Sequence, residues 1–213
     1  MTTSQRGILV SIDGPSRVGK TTAARILREY LGRRGYQVHA TTEPSLSALG
    51  ETARRNTETY RGYTLACLVA ADRYHRLETE VRPHLDAGFI VVCDRYVASS
   101  FVLQRMDCVR LPFVEAINSA AERPDLAVIL QAPPNVTAAR VTARGAHDRF
   151  HIGECSSEQE SDLYEEAAKR LAARGFPILA VETGEASRPT SPSTSPNEIA
   201  EIVECPESEA ATA

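Results

Sequence analysis

Residues 7–22, GILVSIDGPSRVGKTT, decide the fold of this chain. The stretch opens as a short apolar run typical of a buried strand, and then matches the pattern GxxxxGK(S/T) over residues 14–21. Apolar side chains recur at helical spacing across residues 20–34, and Gly35 suits the end of that helix. Glycines in such a turn let backbone N–H groups surround an anion, and the helix N-terminus adds partial positive charge. The stretch therefore predicts a phosphate-binding loop between a strand and a helix.

The residues of this loop are expected to bind a nucleoside triphosphate, by default ATP. Lys20 is expected to reach the β- and γ-phosphates, and the Thr21 hydroxyl is expected to ligate Mg²⁺. A Gly-rich turn formed by chance is the alternative, but chance would not place strand, loop and helix in register. The predicted ATP-binding residues of the loop are Gly14, Pro15, Ser16, Arg17, Val18, Gly19, Lys20, Thr21 and Thr22.

Strand-like and helical stretches alternate along the rest of the chain. Short apolar runs occupy residues 36–40, 89–93, 126–130 and 177–181, and a long helical pattern covers residues 63–87. The run at 89–93 is almost uninterrupted, as expected for a strand buried on both faces of a parallel sheet. This alternation predicts the α/β class, with a three-layer α/β/α P-loop NTPase fold and a five-stranded parallel sheet.

The chain of 213 residues is long enough for one such domain and hardly for a second. We expect this P-loop domain to cover residues 1–183, with a mobile segment, the LID, at about 144–156. Residues 184–197 are rich in Ser, Thr and Pro and should form a flexible loop. A short helix of the same domain is expected at 198–204, followed by a disordered acidic tail at 205–213.

Composition excludes several classes of function. The net charge of −4 argues against wholesale binding of nucleic acid polymers, because such proteins usually carry a basic surface. The five cysteines fall in no metal-ligand spacing, and no apolar run is long enough for a signal peptide or a membrane span. We therefore expect a cytoplasmic protein with reduced thiols, Cys93 buried in a strand, and neither a nucleic acid nor a membrane partner.

A second functional segment, DRYVASSFVLQ at residues 94–104, directly follows the apolar run at 89–93. Asp94 is thus expected at the carboxyl end of a strand, where ligands bind in open α/β sheets. A carboxylate there can hold Mg²⁺ through water or orient the attacking oxygen, and Arg95 can neutralise phosphate charge. The alternative is a structural Asp–Arg pair at a helix N-terminus.

Together with the phosphate loop, this segment resembles the DRYxxSxxAYQ motif of the thymidylate kinase family. Residues 70–73, AADR, resemble that family's LLFAADR helix, and residues 42–44, TEP, resemble its TREP loop. Residues 124–149 resemble its PDLxxxLxxxPxxxxxR strand and helix, which continue into a LID with a DR pair. The resemblance covers roughly residues 7–183 and the short helix near 198–204. It implies ATP-dependent phosphoryl transfer to a nucleoside monophosphate, either dTMP or a related nucleotide.

The resemblance also implies roles for single residues. Arg73 would read the acceptor base, although a surface arginine in an i, i+4 ion pair is the alternative. Arg140 would lie near the ATP base and phosphates, and Arg144 and Arg149 would close over the transferred group. A solvated basic loop is the alternative for these, and a surface-pointing side chain is the alternative for Arg17, which would contact the γ-phosphate.

The predicted site residues fall into three further groups. The catalytic residues are Lys20, Arg17, Asp94, Arg95, Arg144 and Arg149. The acceptor-binding residues are Glu43, Val69, Arg73, Arg95, Ser99, Ser100 and Gln104. The metal ligands are Thr21 and Asp94, and Arg140 joins the ATP-binding set.

The departures from the family's pattern concern the acceptor side. Ser16 stands where the family's loop often carries an acidic residue that meets the acceptor's 3′-hydroxyl, and Thr42 replaces the TREP arginine that holds the acceptor phosphate. Val69 aligns with an aromatic residue that stacks on thymine, and Leu103 with a tyrosine close to the sugar. Glu166 and Ala168 stand where the family's LID helix tends to carry arginines. The candidate replacements for the arginine lost at position 42 are Arg54, Arg55 and Arg61.

Two alternative functions follow from these departures. A nucleoside or other small-molecule kinase with an altered acceptor pocket is the first, because the acceptor-side charge is reduced while the donor side is intact. A nucleotide-binding protein without turnover is a more distant second. The resemblance also implies a homodimer; the helical stretch at 63–87 could pair two subunits, although burial in the core explains its apolar residues equally well.

Overall fold

The computed structural model describes the backbone of residues 6–144 and 154–183, and the side chains of residues 6–139 and 157–183. Five parallel strands form one sheet in the order β2-β3-β1-β4-β5. The strands are β1 Ile8–Asp13, β2 Val38–Thr42, β3 Ile90–Asp94, β4 Leu126–Gln131 and β5 Ile178–Glu182. Helices surround this all-parallel sheet, which confirms the predicted three-layer α/β/α P-loop fold.

Helices connect the strands and cover the sheet. They are α1 Lys20–Arg33, α2 Ala48–Arg55, α3 Gly62–Arg76, α4 Arg82–Asp86, α5 Val97–Met106, α6 Leu111–Ile117, α7 Pro134–Arg144 and α8 Glu154–Ala172. The sequence analysis predicted neither α2 nor α6, which are short helices of eight and seven residues. None of the helices in the described ranges combines the length and the apolar character that crossing a membrane requires.

The sheet core is apolar on both faces, as a buried parallel sheet requires. On one face, Val10, Ile12 and Val92 of the strands pack with Leu27 and Leu31 of α1. On the other face, residues of β1, β3 and β4 pack with α5 and α8, and the fully buried members include Leu9, Val91, Cys93, Phe101 and Tyr164. Cys93 is 0% exposed, which confirms the prediction of a buried thiol in a strand.

Strand β2 begins two residues later than the apolar run suggests. The predicted strand covered residues 36–40, but the amide of Tyr36 donates to the carbonyl of Leu31, and the amide of Gly35 donates to Gly32. These bonds close the last turn of α1 and satisfy carbonyls at its C-terminus. Tyr36 therefore belongs to the helix end, and pairing with β3 starts where Val38 meets Ile90.

The long helix predicted at residues 63–87 is interrupted by a π-helical turn at Leu77–Val81. The amide of Arg82 donates to the carbonyl of Leu77, an i to i−5 bond. Pro83 follows and has no amide hydrogen for the regular helical ladder. Single π-turns of this kind are frequent near functional sites.

The register of the strands brings their carboxyl ends to one edge of the sheet. Ile12 of β1 pairs with Asp94 of β3, and Thr42 of β2 pairs with the same aspartate. The phosphate loop follows β1 at this edge, so the candidate site residues on three strands converge here. Residues 145–153, which include Arg149 and most of the predicted LID, and residues 184–213 lie outside the described residues.

Candidate active site

The phosphate loop is built on two glycines in the left-handed region. Gly14 has a φ of 143°, and a Cβ added there would lie 2.4 Å from the carbonyl oxygen of Leu130. Gly19 has a φ of 113° and precedes the first residue of α1. Only glycine combines this backbone freedom with so close an approach to β4. The loop therefore has the strand, turn and helix in the order that phosphate binding needs.

Lys20 folds back over the loop. Its Nζ donates to the carbonyl oxygens of Gly14 and Pro15, at 2.7 Å each. Burial, and to a lesser degree the nearby Arg95, lower the pKa of Lys20 to about 7, although Glu160, Asp94 and Asp13 act in the opposite direction. Across the described residues, no carboxylate forms an ion pair with this ammonium. Lys20 can exchange two neutral carbonyl partners for anionic phosphate oxygens.

Thr21 and Asp94 lie side by side at the start of α1 and the end of β3. The Thr21 hydroxyl donates to Asp94 Oδ2 at 2.5 Å. One hydroxyl and one carboxylate suit Mg²⁺, which prefers oxygen ligands and usually retains waters and substrate phosphates in its shell. In the described part of the chain, no cluster of three or more acidic, His or Cys ligands could hold a metal by itself. The pair thus fits the predicted metal role when phosphates supply the remaining ligands.

Arg95 is a largely buried arginine that contacts no carboxylate among the described residues. Its φ of 71° is unusual for a bulky residue, and such strain is often found at functional sites. Among the described residues, no side chain or backbone group accepts a hydrogen bond from its guanidinium, and Nη1 is shielded from solvent. Asp94 makes no ion pair with it either, so the alternative of a structural Asp–Arg pair is wrong.

The charge of Arg95 is maintained by neighbours that do not touch it. Burial opposes the charged form, but Tyr164, Glu160, Asp94 and Asp13 act in the other direction, and the pKa of Arg95 is raised above its usual value. A buried cation without a partner costs free energy unless something compensates it. The arrangement is suited to an anion supplied by a ligand.

Asp13 fixes the turn that carries Arg95. Its Oδ1 accepts from the amides of Tyr96 and Ser99 at 2.8 and 3.0 Å, and from the Ser99 hydroxyl at 2.7 Å. It therefore caps the N-terminus of α5 from another element, which also suits the helix dipole. Burial raises the pKa of Asp13, while the bonds from Ser99 and Tyr96 lower it. Sequence reasoning did not identify Asp13, although its place at the end of β1 was a usable signal.

Glu160 of α8 reaches the phosphate loop from the far end of the chain. Its Oε2 accepts from the Ser16 amide at 3.0 Å, and its Oε1 accepts from the Ser16 hydroxyl at 3.2 Å. Both residues are buried. No spacing signal in the sequence relates positions 16 and 160, and the sequence analysis missed this contact.

Glu43 is the centre of a paired charge cluster on the acceptor side. Arg73 donates to it from Nε at 3.0 Å and from Nη2 at 2.6 Å, and Arg76 also bonds to it. Arg73 is 1% exposed and further contacts Ser100 at 2.8 Å and Asn118. The alternative of a surface Arg73 is therefore wrong. Arg76 and Asn118 are members that the sequence analysis did not name.

The remaining acceptor-side predictions lie around this cluster. Gln104 of α5 is buried, and its Oε1 has no partner among the described residues. Val69 is half-buried on α3, one turn before Arg73. The Ser99 hydroxyl donates to Asp13, and the Ser100 hydroxyl accepts from Arg73. The roles of these four residues in acceptor binding stay predictions.

The three candidate replacements for the arginine lost at position 42 have different positions and partners. Arg55 pairs with Glu51 and Arg61 with Glu58, and both arginines are exposed. Arg54 instead donates to the carbonyl of Pro44, in the loop after β2. Thr42 itself donates to the backbone oxygen of Asp94 at 3.2 Å. Of the three, Arg54 reaches the relevant loop.

The structure leaves the roles of five predicted residues untested, and it describes no side chain for three of them, Arg140, Arg144 and Arg149. Arg140 and Arg144 lie on α7 with their backbone described, and Arg149 lies outside the described residues. Arg17 has a φ of 62° within the loop, and Thr22 is exposed at the start of α1. The roles of these residues stay predictions.

Space for ligands exists on both sides of the loop. A cavity of about 510 Å³ opens beside Thr21 and Asp94 and extends along Thr42 and Ser45. A second cavity of about 420 Å³ lies between Pro15, the end of β4 and α8. Both fall in the size range of small-molecule sites. An arrangement with cations in the middle and space on either side can transfer an anionic group between two bound molecules.

Comparison with known proteins agrees with this arrangement. The sequence model of the thymidylate kinase family matches residues 12–178. A probable thymidylate kinase of Caldivirga maquilingensis is 34% identical over 177 residues, 81% of this chain and 84% of the relative. A probable thymidylate kinase of Pyrococcus horikoshii is 35% identical over 153 residues, 68% and 75% of the two chains. The thymidylate kinase of Clavibacter sepedonicus is 34% identical over 175 residues, 78% and 82%.

Proposed function

The chain belongs to the thymidylate kinase family, and from that premise we propose that it transfers the γ-phosphoryl group of ATP to the phosphate of a nucleoside monophosphate, dTMP or a close relative. The observation that supports this most directly is the position of Arg95, whose guanidinium contacts no carboxylate among the described residues and lies near enough to Lys20 to lower its pKa. A nucleoside acceptor carries no anion to neutralise this cation. A monophosphate does.

The donor side is supported by the loop itself. The loop glycines and the N-terminus of α1 are placed to hold the phosphates of ATP, and Lys20 would leave the carbonyls of Gly14 and Pro15 to bind the β- and γ-phosphates. Thr21 and Asp94 would hold Mg²⁺, which would supply positive charge to neutralise the phosphates. We expect the Thr21–Asp94 hydrogen bond to be replaced when that site fills.

The acceptor side is supported by Arg95 and its scaffold. Arg95 would hold the acceptor phosphate in line with the γ-phosphorus, with Asp13 and Ser99 fixing the backbone turn beneath it. An oxygen of the acceptor phosphate then forms the new P–O bond as the bond to the β-phosphate oxygen breaks, and ADP leaves. Positioning and charge stabilisation dominate such a transfer. Arg17, Arg144 and Arg149 are proposed to add positive charge around the transferred group.

A coupled ADP-release assay with a panel of monophosphates and nucleosides tests the function. We expect Mg²⁺-dependent turnover with dTMP or a related monophosphate and none with the matching nucleoside. Turnover with a nucleoside alone would favour the altered-pocket kinase. No ADP release with any acceptor, combined with retained ATP affinity, would favour a nucleotide-binding protein without turnover.

The Arg95→Met variant tests the role of Arg95 in the same assay. Loss of a charged phosphate contact should lower kcat/KM for the monophosphate by about 10- to 100-fold. Arg55→Met is the matched control, because Arg55 is an exposed arginine paired with Glu51, and it should change kcat/KM little. Equal activity of both variants would contradict the role of Arg95.

We also propose the homodimer that family membership suggests. Exposed Leu46 and Leu49, at and near α2, and Tyr63 on α3 offer apolar surface to a second subunit. Light scattering on the purified protein measures the mass directly. A monomer at micromolar concentration would contradict the proposal.

A further inference from the structure

The cavity beside Thr21 and Asp94 extends beyond the groups that the proposed transfer uses. From this metal-ligand pair it runs along α1 and the edge of β2 to α3 and the π-helical turn. Among the described residues, none of those predicted to bind the acceptor lines this cavity. The part away from the metal-ligand pair, called the far end below, is lined by Arg25, Arg28, Ala40, His75, Thr79 and Glu80. The far end is therefore space that neither the donor nor the acceptor needs.

Strand β2 presents unpaired backbone groups to the far end. It is the outermost strand of the sheet on this side, so one of its edges has no neighbouring strand. The Glu43 amide donates to the carbonyl of Asp94, so the odd-numbered residues of this segment bond to β3. Backbone groups of successive residues in a strand point to opposite edges, and the N–H and C=O of Ala40 therefore point to the open edge. Within the described ranges, neither group is hydrogen-bonded.

The far end also carries an arginine that the protein leaves unpaired. Thr21, Arg25 and Arg28 follow one another along a single face of α1. Arg25 pairs with Glu29 at 2.9 Å. Arg28 has neither a hydrogen bond nor an ion pair in the described part of the chain. A solvated arginine is common on protein surfaces, but this one borders a cavity that also contains an open strand edge.

Glu80, the carboxylate of the far end, is already compensated. Its Oε1 contacts His39 Nε2 at 2.7 Å. Burial opposes the charged form of Glu80, but hydrogen bonds from His39 and Thr41 and the charge of Arg76 outweigh burial, so the pKa of Glu80 lies below its usual value. An anionic group that enters the far end can therefore meet Arg28 without facing an uncompensated carboxylate.

The shape and chemistry of the far end indicate the class of ligand. The whole cavity measures about 510 Å³, which suits a small molecule better than a folded partner. A nucleobase carries donors and acceptors side by side on its edge, and such an edge can pair with the N–H and C=O of Ala40. The methyl groups of Ala24 and Ala40 and the stems of the arginines offer apolar contact to its ring. Arg28 and Arg25 suit a phosphate.

We propose that the far end is a further nucleotide site, which binds a nucleoside phosphate with its base at the open edge of β2 and its phosphate at Arg25 and Arg28. The site lies apart from the phosphate loop and from the predicted acceptor residues, so it goes beyond the proposed function. Its test is a binding measurement and needs no turnover.

Two pairs of probes that differ only in the phosphate test the site: dTMP with thymidine, and AMP with adenosine. A bisubstrate compound, in which a chain of phosphates joins adenosine to thymidine, first fills both reaction sites in one-to-one amount. Amide NMR of the wild-type protein then follows the added probe. We expect at least one monophosphate to shift the amide signal of Ala40 and to bind about tenfold more tightly than its nucleoside.

Variants separate the two halves of the site. Arg28→Met should weaken binding of the monophosphate by about tenfold and change binding of the nucleoside less than about twofold. Ala40→Pro removes the edge N–H at a position where an edge strand tolerates proline, and it should weaken both members of a pair alike. Arg33→Met is the matched control, because Arg33 is an exposed arginine of the same helix that does not line the cavity.

Three results would overturn the proposal: no monophosphate shifts the Ala40 signal, monophosphate and nucleoside bind equally, or Arg28→Met binds like Arg33→Met. An extended peptide of alternating Glu and Val is titrated in parallel. If it alone shifts Ala40, the edge of β2 is a protein-docking surface and the nucleotide site is rejected. If the bisubstrate compound does not bind, the proposed function fails separately, and the same titrations without it still decide on the far end.

Discussion

Two clusters of buried charge lie at the carboxyl edge of the sheet, and they are built in opposite ways. The phosphate-side cluster consists of Lys20 and Arg95, the cations proposed to bind the donor and acceptor phosphates. Neither contacts a carboxylate among the described residues. In the acceptor-side cluster, Arg73 and Arg76 both form ion pairs with Glu43 at full burial. The comparison separates two cations that contact no described carboxylate, Lys20 and Arg95, from two arginines that are paired with Glu43.

The difference has an energetic reason. A buried ion pair with complete hydrogen bonding is tolerated, and removing one member leaves the other uncompensated. An unpaired buried cation is tolerated only at some cost, and a ligand anion removes that cost on binding. The phosphate-side cluster should therefore govern activity, and the acceptor-side cluster should govern the stability of the fold.

The largest expected effect comes from breaking the phosphate-side cluster. Lys20→Ala should lower kcat by about 10³-fold or more, because a preorganised cation at the transferred phosphates is lost. The fold should remain, since the bonds of Lys20 within the described part of the chain go to two loop carbonyls. Steady-state kinetics and circular dichroism measure the two consequences. Near-normal turnover in this variant would defeat the assignment of the loop.

Breaking the acceptor-side cluster should act on stability. Glu43→Gln leaves two buried guanidinium groups without a counterion, and the free energy of unfolding should fall by about 3–5 kcal/mol. Urea unfolding measures this loss. Glu58→Gln removes an exposed ion pair with Arg61 and should cost less than about 1 kcal/mol. Equal losses in the two variants would contradict the distinction between the clusters.

The pH dependence of ATP binding sharpens the comparison. The pKa of Lys20 is lowered to about 7 without ligand, and phosphates beside it must raise that pKa. Binding should therefore take up a proton above pH 7, and affinity should fall as pH rises, by at most about tenfold per unit. Calorimetry at pH 8 in buffers of different ionisation enthalpy measures the uptake. Lys20→Met should abolish it; unchanged uptake in that variant would assign the proton elsewhere.

The smallest effect is expected at Cys93, which reports on the acceptor-side cluster without affecting activity. Burial raises the pKa of the Cys93 thiol to about 12, and Arg76 donates to its sulfur at 3.1 Å. A thiol reagent at pH 8 should modify exposed Cys67 and Cys108 and leave Cys93 intact, because the thiolate is the reactive form. Mass spectrometry identifies the sites. Glu43→Gln should accelerate labelling of Cys93; rapid labelling in the wild type would contradict its protection.

Local signals in the sequence were enough for much of the fold and part of the site. The phosphate loop, the strand before Asp94 and the pairing of Asp94 with Thr21 follow from motifs whose residues are close in sequence or fixed by strand order. The ends of elements were less predictable. Tyr36 is apolar enough for a strand, but its amide closes the last turn of α1. Hydrogen bonding and not composition therefore sets the start of β2.

The sequence by itself predicted the main chemical groups of the candidate site: a loop that can surround phosphates, the Thr21 hydroxyl and the Asp94 carboxylate as candidate metal ligands, and Arg95 directly after β3. Only the tertiary structure decided which charges are paired. Glu160 reaches Ser16, Asp13 caps α5, and Asn118 meets Arg73 across separations that no periodicity encodes. The physical reason is that motifs act through neighbouring backbone, whereas the charge balance of a buried site depends on every element that packs against it.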